Sequence, residues 1–183
     1  MHEAGRSKYS LVAMAFHWVI AIAVIWNWRI AEAAEHAASR EEASAIMVDH
    51  KALGITILAL TLGRLAWRLM HQVPPLPQSI PGWERVAART LHIIFYVLLV
   101  GLPLGGWLAN SYFGNVIDWF GVFSIPALPV GENPDVGKAI FGLHKTGGTV
   151  MLYLIALHVL AAIWHSLPGK GGGIMRMLPF GRT

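Results

Sequence analysis

Apolar residues in this chain neither alternate nor recur only every third or fourth position; they run almost unbroken for the width of a membrane, four times over. Leu11 to Trp28, Ala52 to Leu69, His92 to Leu108 and His144 to Trp164 are runs of 17 to 21 residues. An α-helix needs ~20 residues to cross ~30 Å of hydrocarbon at ~1.5 Å per residue. With their flanks, the predicted spans cover about residues 11–30, 51–69, 91–109 and 144–165. Between them lie breakers. "HQVPPLPQSIPGW" (71–83) holds four prolines, and "SIPALPVGENPDVG" (124–137) mixes proline, glycine and acids, so neither continues a membrane helix. "AEAAEHAASREEASAI" (31–46) has alanine and glutamate at helical density and is expected to extend the first or second helix beyond the membrane. The predicted fold is all-α: one integral-membrane domain over residues 1–183, a four-helix transmembrane bundle.

Arg6 and Lys8 ahead of the first run, and small residues between Ala31 and Ala34 behind it, are also the marks of a secretory signal. Trp18, Trp26, Trp28 and a histidine inside the run fit a retained helix better. Composition agrees with a bilayer: 55% of the 183 residues are hydrophobic and 13% are charged. There are no cysteines, which excludes disulfides, iron–sulfur clusters, thiolate-bound metals and the C-x-x-C-H attachment of c-type haem. The net charge of +4 is not gathered into a basic stripe interleaved with aromatics, so nucleic acid is not the expected partner.

Charge instead sets orientation. The N-terminus, the second connector, the C-terminal tail and their adjoining helix ends hold nine of the fourteen Lys and Arg residues against Glu3 and Glu84. The first and third connectors hold the other five against eight acids. Basic residues near span ends stay cytoplasmic, so both termini are predicted inside.

Histidines in lipid are costly and usually functional. His17 lies six residues past the start of the first span, and His158 lies six before the end of the fourth. Both are therefore ~9 Å from the inner surface. His50 and His144 open the second and fourth spans at the outer surface. The 14-residue step from His144 to His158 returns to within ~40° of one helix face and rises ~21 Å. One helix thus carries two imidazoles on one stripe, each with a partner at matching depth. Paired imidazoles without thiolate or carboxylate suit bis-histidine ligation of haem iron better than zinc, which takes four ligands. Small residues flank each ligand candidate: Ala13 and Ala21, Gly54, Gly147 and Gly148, Ala161 and Ala162. They leave room for a flat macrocycle.

Other residues follow from this frame. Arg64, 14 residues after His50, and Arg68 one turn later are candidate propionate ligands at the inner level, with snorkelling as the plain alternative. Lys51 and Lys145, each next to an outer ligand candidate, form a candidate anion-attracting rim, with headgroup anchoring as the alternative. His92 and His165 complete no third pair and are expected near inner helix ends, where snorkelling or capping competes with quinone or propionate binding, His165 being the candidate quinone contact. His2, His36 and His71 are expected in solvent. "GLPLGG" places Gly101 and Gly105 four apart around Pro103, a small-xxx-small spacing for close helix approach.

"YSLVAMAFHWVIAI", "DHKALGITILALTLGRLAWR", "HIIFYVLLVGLPLGGW", "GLHKTGGTVMLYLIALHVLAAIWH" and the tail "IMRMLPF" resemble the bacterial cytochrome b561 family over nearly the whole chain. The resemblance implies a multi-pass di-haem b protein of the bacterial inner membrane, with His17 and His158 on one haem and His50 and His144 on the other. It also implies ubiquinone as electron acceptor and, as one activity of such proteins, oxidation of superoxide at the periplasmic face. Related b-type cytochromes instead anchor a peripheral dehydrogenase or hydrogenase, so a partner redox subunit or a homodimer is the competing expectation. A histidine-lined metal or proton transporter is a third; it predicts a colourless protein.

Overall fold

A computed structural model describes residues 8–76, 80–167, 170 and 173–180. Four helices make up most of it: α1 (Leu11–Glu35), α2 (Arg40–Met70), α3 (Gly82–Tyr112) and α4 (Pro134–Trp164). All four are long and apolar enough to cross a membrane. Each is longer than its predicted span, and side-chain caps start three of them. Ser10 starts α1 by accepting from Ala13 N. Ser39 starts α2 by accepting from Glu42 N, while the Glu42 carboxylate accepts from Ala38 N, the reciprocal logic of a capping box. Asn133 caps α4 with Pro134 at its first position. The alanine- and glutamate-rich segment therefore extends both α1 and α2, broken only at residues 36–39.

One element departs from the all-α expectation. Between α3 and α4, β1 (Ile117–Trp119) and β2 (Phe123–Ile125) pair antiparallel, with Trp119 opposite Phe123. Gly121 in the turn takes a positive φ, and its N–H is held by the Asp118 carboxylate. Trp119 Nε1 donates to Thr56 Oγ1 at 3.0 Å and pins this hairpin to α2.

The opposite end is tied by the tail. A 3-10 helix (Gly173–Met177) brings Met177 O to Trp18 Nε1 at 2.8 Å, and the buried Arg176 donates to the carbonyls of Pro74 and Pro75. The start of α1, the α2–α3 connector and the tail thus meet at one end of the bundle, the terminal end, opposite the hairpin end.

Helices pack in chain order: α1 on α2, α2 on α3 and α3 on α4. The core is one layer deep, with Ile20, Ile57, Leu99 and Met151 contributing one residue from each helix. Apolar side chains elsewhere mostly point outward, as they do where the surroundings are lipid rather than water. The close contacts expected of Gly101 and Gly105 fall elsewhere. A Cβ on Gly101 would meet nothing within 4 Å, and one on Gly105 only Ile140 at 4.0 Å. Gly106 and Gly147 carry the tight α3–α4 approach instead, facing His144 and Leu102. The i, i+4 pattern marks a stripe, and only contact with a neighbour shows which side of it is pressed.

Candidate functional site

The four histidines expected to pair do so. His50 and His144 stand with ring centroids 6.0 Å apart, and His17 and His158 stand 6.2 Å apart. Both pairs have near-perpendicular ring planes, at 84° and 78° respectively. Each pair joins α4 to a helix it does not pack against closely, α2 in one case and α1 in the other. The core layer lies between them, since Met151 is midway from His144 to His158 along α4.

At the hairpin end the rings are anchored from behind. His50 Nδ1 donates to the Asn27 carbonyl at 3.1 Å, and His144 Nδ1 donates to the Leu102 carbonyl at 2.9 Å. A carbonyl only accepts, so the proton sits on Nδ1 and Nε2 keeps its lone pair. This is the second shell that ligating histidines have, fixing tautomer and ring direction together. Lys145, one of the two rim candidates, is not a free cation: its Nζ meets Glu35 Oε1 at 2.9 Å, with both side chains exposed. Lys51 is partly buried.

At the terminal end the company is different. Arg64 Nη1 lies 3.1 Å from His17 Nδ1, and the Arg64 and Arg68 guanidinium carbons each lie 5.8 Å from the Tyr96 ring. His92 is not at a helix end as expected. It sits ten residues into α3 with its ring 5.8 Å from that of His158, a third imidazole at this level. Its depth could be missed because α3 begins well before the apolar run does. His165 ends α4, where its Nδ1 donates to Lys170 O and its Nε2 lies 3.6 Å from Glu84 Oε2. It belongs to the rim of the terminal end rather than to the paired rings. His36 and His71 are exposed, each bonded to the carbonyl four residues earlier; His2 lies outside the described residues.

Do these residues fit a bis-histidine haem? Two metal–imidazole bonds of about 2 Å, together with the reach from each Nε2 to its ring centre, span a gap of the size seen in both pairs. The helices bearing each pair stand apart, as a flat macrocycle between them requires. Among the described residues, Asn27 Oδ1 and Thr61 Oγ1 are buried without a hydrogen-bond partner beside the two levels: the Asn27 main-chain carbonyl receives the His50 bond, and Thr61 lies one turn from Arg64. Among the described residues, no three His, Asp or Glu side chains gather as a bare metal ion would need. An apolar cavity of about 510 Å³ between α2 and the hairpin is lined by none of these histidines. The donor set fits haem.

Four apolar helices with imidazoles stacked in pairs through the bundle define a multi-pass membrane protein of the b-cytochrome class. The chain matches the prokaryotic cytochrome b561 family over residues 8–180 and belongs to it. It is 25% identical over 174 residues to cytochrome b561 homolog 1 of Escherichia coli (strain K12), covering 94% of this chain and 98% of that one. Cytochrome b561 homolog 2 of the same organism is 29% identical over 179 residues, 93% and 91% of the two chains. The probable superoxide oxidase CybB of Yersinia pestis is 27% identical over 176 residues, 95% and 97% of the two chains. Membership makes this chain a haem-b electron-transfer protein of the membrane.

Proposed function

We propose that the chain moves electrons across the bacterial inner membrane through two b haems, taking them from superoxide at the hairpin end and delivering them to ubiquinone at the terminal end. The observation that carries this reading is the pair of facing imidazole couples at two depths. His50 with His144, and His17 with His158, would each hold one haem. Bound there, the iron supplies reversible one-electron chemistry, and the protein supplies ligation, spacing and field.

The residues have separable tasks. The Asn27 and Leu102 carbonyls hold His50 and His144 with Nε2 facing inward. Arg64 and Arg68 offer charged forks at the terminal end that would hold the anionic propionates of a haem bound between His17 and His158. Lys51 and Lys145 place positive charge at the hairpin end, although Glu35 offsets Lys145. The core layer of Ile20, Ile57, Leu99 and Met151 keeps water from joining the two levels. Ubiquinone reduction takes two electrons and two protons, so two superoxide anions are oxidised to dioxygen for each quinone. His165 and Glu84, adjacent at the terminal rim, are groups able to hand a proton inward. The bias of basic residues toward the termini supports a cytoplasmic placement of that end.

The relative named for superoxide oxidation supports the choice of donor at 27% identity. The test is purified protein in liposomes containing ubiquinone. Superoxide generated outside should vanish with quinone reduced in a 2:1 ratio, and a visible spectrum should show about two b haems per chain. Protein that carries haem but reduces quinone only with a bound dehydrogenase would make it a conduit. Colourless protein would refute haem binding altogether.

A further inference from the structure

A groove on the back of α2 is used by neither couple. It is the apolar cavity of about 510 Å³ under the hairpin, walled by Ile55, Ala59 and Gly63 of α2, Phe16 of α1, and Trp119 and Phe123 of the hairpin. Ala59 follows His50 by nine residues, ~180° around the helix at ~100° per residue, so the groove looks away from the paired rings. From Ile55 to Gly63 it extends ~12 Å along α2, most of the ~15 Å that one leaflet contributes to a ~30 Å hydrocarbon core.

Its chemistry suits a hydrocarbon chain and nothing polar. Thr56 Oγ1 donates to the Ala52 carbonyl and accepts from Trp119 Nε1, so no side-chain donor in the wall is left for a headgroup or a quinone carbonyl. The Trp119 and Phe123 rings stack with centroids 4.9 Å apart and give the hairpin side a flat face. Phe120, Val122 and Phe123 are exposed, apolar side chains that belong in lipid rather than water.

The two ends of the groove differ. Toward the terminal end α1 closes on α2: a Cβ on Gly63 would lie 3.3 Å from the Phe16 ring. Toward the hairpin end, the stripe that carries Ile55 continues one turn earlier, within ~40°, to Lys51 at the edge of the span. None of the described acids pairs with Lys51. An apolar slot closed at one end, with a cation at its mouth, matches a phosphate that carries an acyl chain.

We propose that this groove binds one phospholipid of the leaflet at the hairpin end, with an acyl chain under the hairpin and the phosphate at Lys51. The bound chain completes the packing of the hairpin onto α2. Lys51 then serves a headgroup, the second of the two roles its position allows, and shares its charge with that phosphate. The inference needs the chain to span a membrane and does not depend on the donor or acceptor of electrons.

The experiment is native mass spectrometry of the haem-loaded protein, delipidated in detergent and titrated with phosphatidylglycerol or with phosphatidylethanolamine of the same chains. One phospholipid per chain should bind ahead of the rest, with phosphatidylglycerol favoured about five-fold, the worth of one lysine near an anionic lipid. Ala59→Leu puts a branched side chain into the groove and should abolish that binding at full haem content. Lys51→Gln should keep the binding and erase the preference. A parent protein that binds no phospholipid ahead of the rest overturns the proposal. So does an Ala59→Leu variant that binds as the parent does, a preference that survives Lys51→Gln, or a tightly held adduct with the mass of a quinone. If Ala59→Leu fails to fold, the absence of native cysteines allows a second measurement. Phosphatidylglycerol should slow maleimide labelling of Ala59→Cys but not of Val97→Cys, at an exposed position on α3, and equal effects at both positions would sink the groove as the site.

Discussion

Gly106 of α3 presses against the imidazole of His144: a Cβ added there would lie 3.1 Å from Cε1 and 3.3 Å from Nδ1. The ring has little room to yield, because its Nδ1 is bonded to the Leu102 carbonyl one turn earlier on the same helix. Gly106→Ala should therefore tilt or displace the ring by a few tenths of an ångström and stretch that bond. Disturbing the group that orients a ligand typically weakens metal affinity by about 10- to 100-fold. Gly106→Ala is expected to fall in that range for the hairpin-end haem alone, and Gly106→Val should abolish it. Haem content per chain and the height of the reduced α band, compared with the parent, provide the check.

Pairing makes a pattern that a set of independent histidines would not. His50→Ala and His144→Ala should each cost the same single haem, and the double variant should cost no more than either. His17→Ala and His158→Ala should behave likewise for the other haem. His92→Ala, although its ring is 5.8 Å from His158, should keep both. The measurement is haem per chain by pyridine haemochrome; additive losses across a couple would break the pairing.

Much of this was legible because membrane helices leave so few choices. A histidine in lipid stands out, depth follows from residue count, and a 14-residue step returns to one face whatever the neighbours do. His144 and His158 needed only α4 to be straight. What stayed hidden depends on contact across the bundle. Gly106 and Gly105 are indistinguishable in the sequence, yet only Gly106 meets a ligand ring. His92 looked like an interfacial residue because the apolar run begins there, while the helix begins ten residues earlier at Gly82. The hairpin has strands of three residues, too short for any periodicity to register, and its place is fixed by the bond from Trp119 to Thr56. Lys145 read as a free cation because Glu35 is 110 positions away in sequence.

Thr61 is fully buried, and its hydroxyl finds no partner among the described residues. A buried donor left unmet costs about 1–3 kcal/mol, and an apolar group of the same shape removes that cost. Thr61→Val is thus expected to stabilise the polypeptide by about 1 kcal/mol, seen as a higher midpoint in a thermal melt of the detergent-solubilised protein. It lies one helical turn before Arg64, so haem content should be read in the same samples. A stabilised protein with full haem means the hydroxyl is idle, whereas loss of the terminal-end haem would assign the hydroxyl to that cofactor.

Glu35 and Lys145 form an exposed ion pair, a kind worth about 0–1 kcal/mol, so Glu35→Gln should leave the melt unchanged. Its effect belongs to the field at the hairpin end. Removing the carboxylate uncovers the lysine and makes that surface more positive, which raises the encounter rate of an anionic donor by steering. Superoxide-driven quinone reduction should therefore be faster in Glu35→Gln at low ionic strength, about two-fold or more, and the advantage should vanish toward 1 M salt, where the Debye length falls to about 3 Å. Lys145→Gln should do the reverse with the same salt dependence. A neutral artificial donor should see no difference in either variant. If superoxide shows none at low salt, the lysines at this end are headgroup anchors, and the donor enters elsewhere.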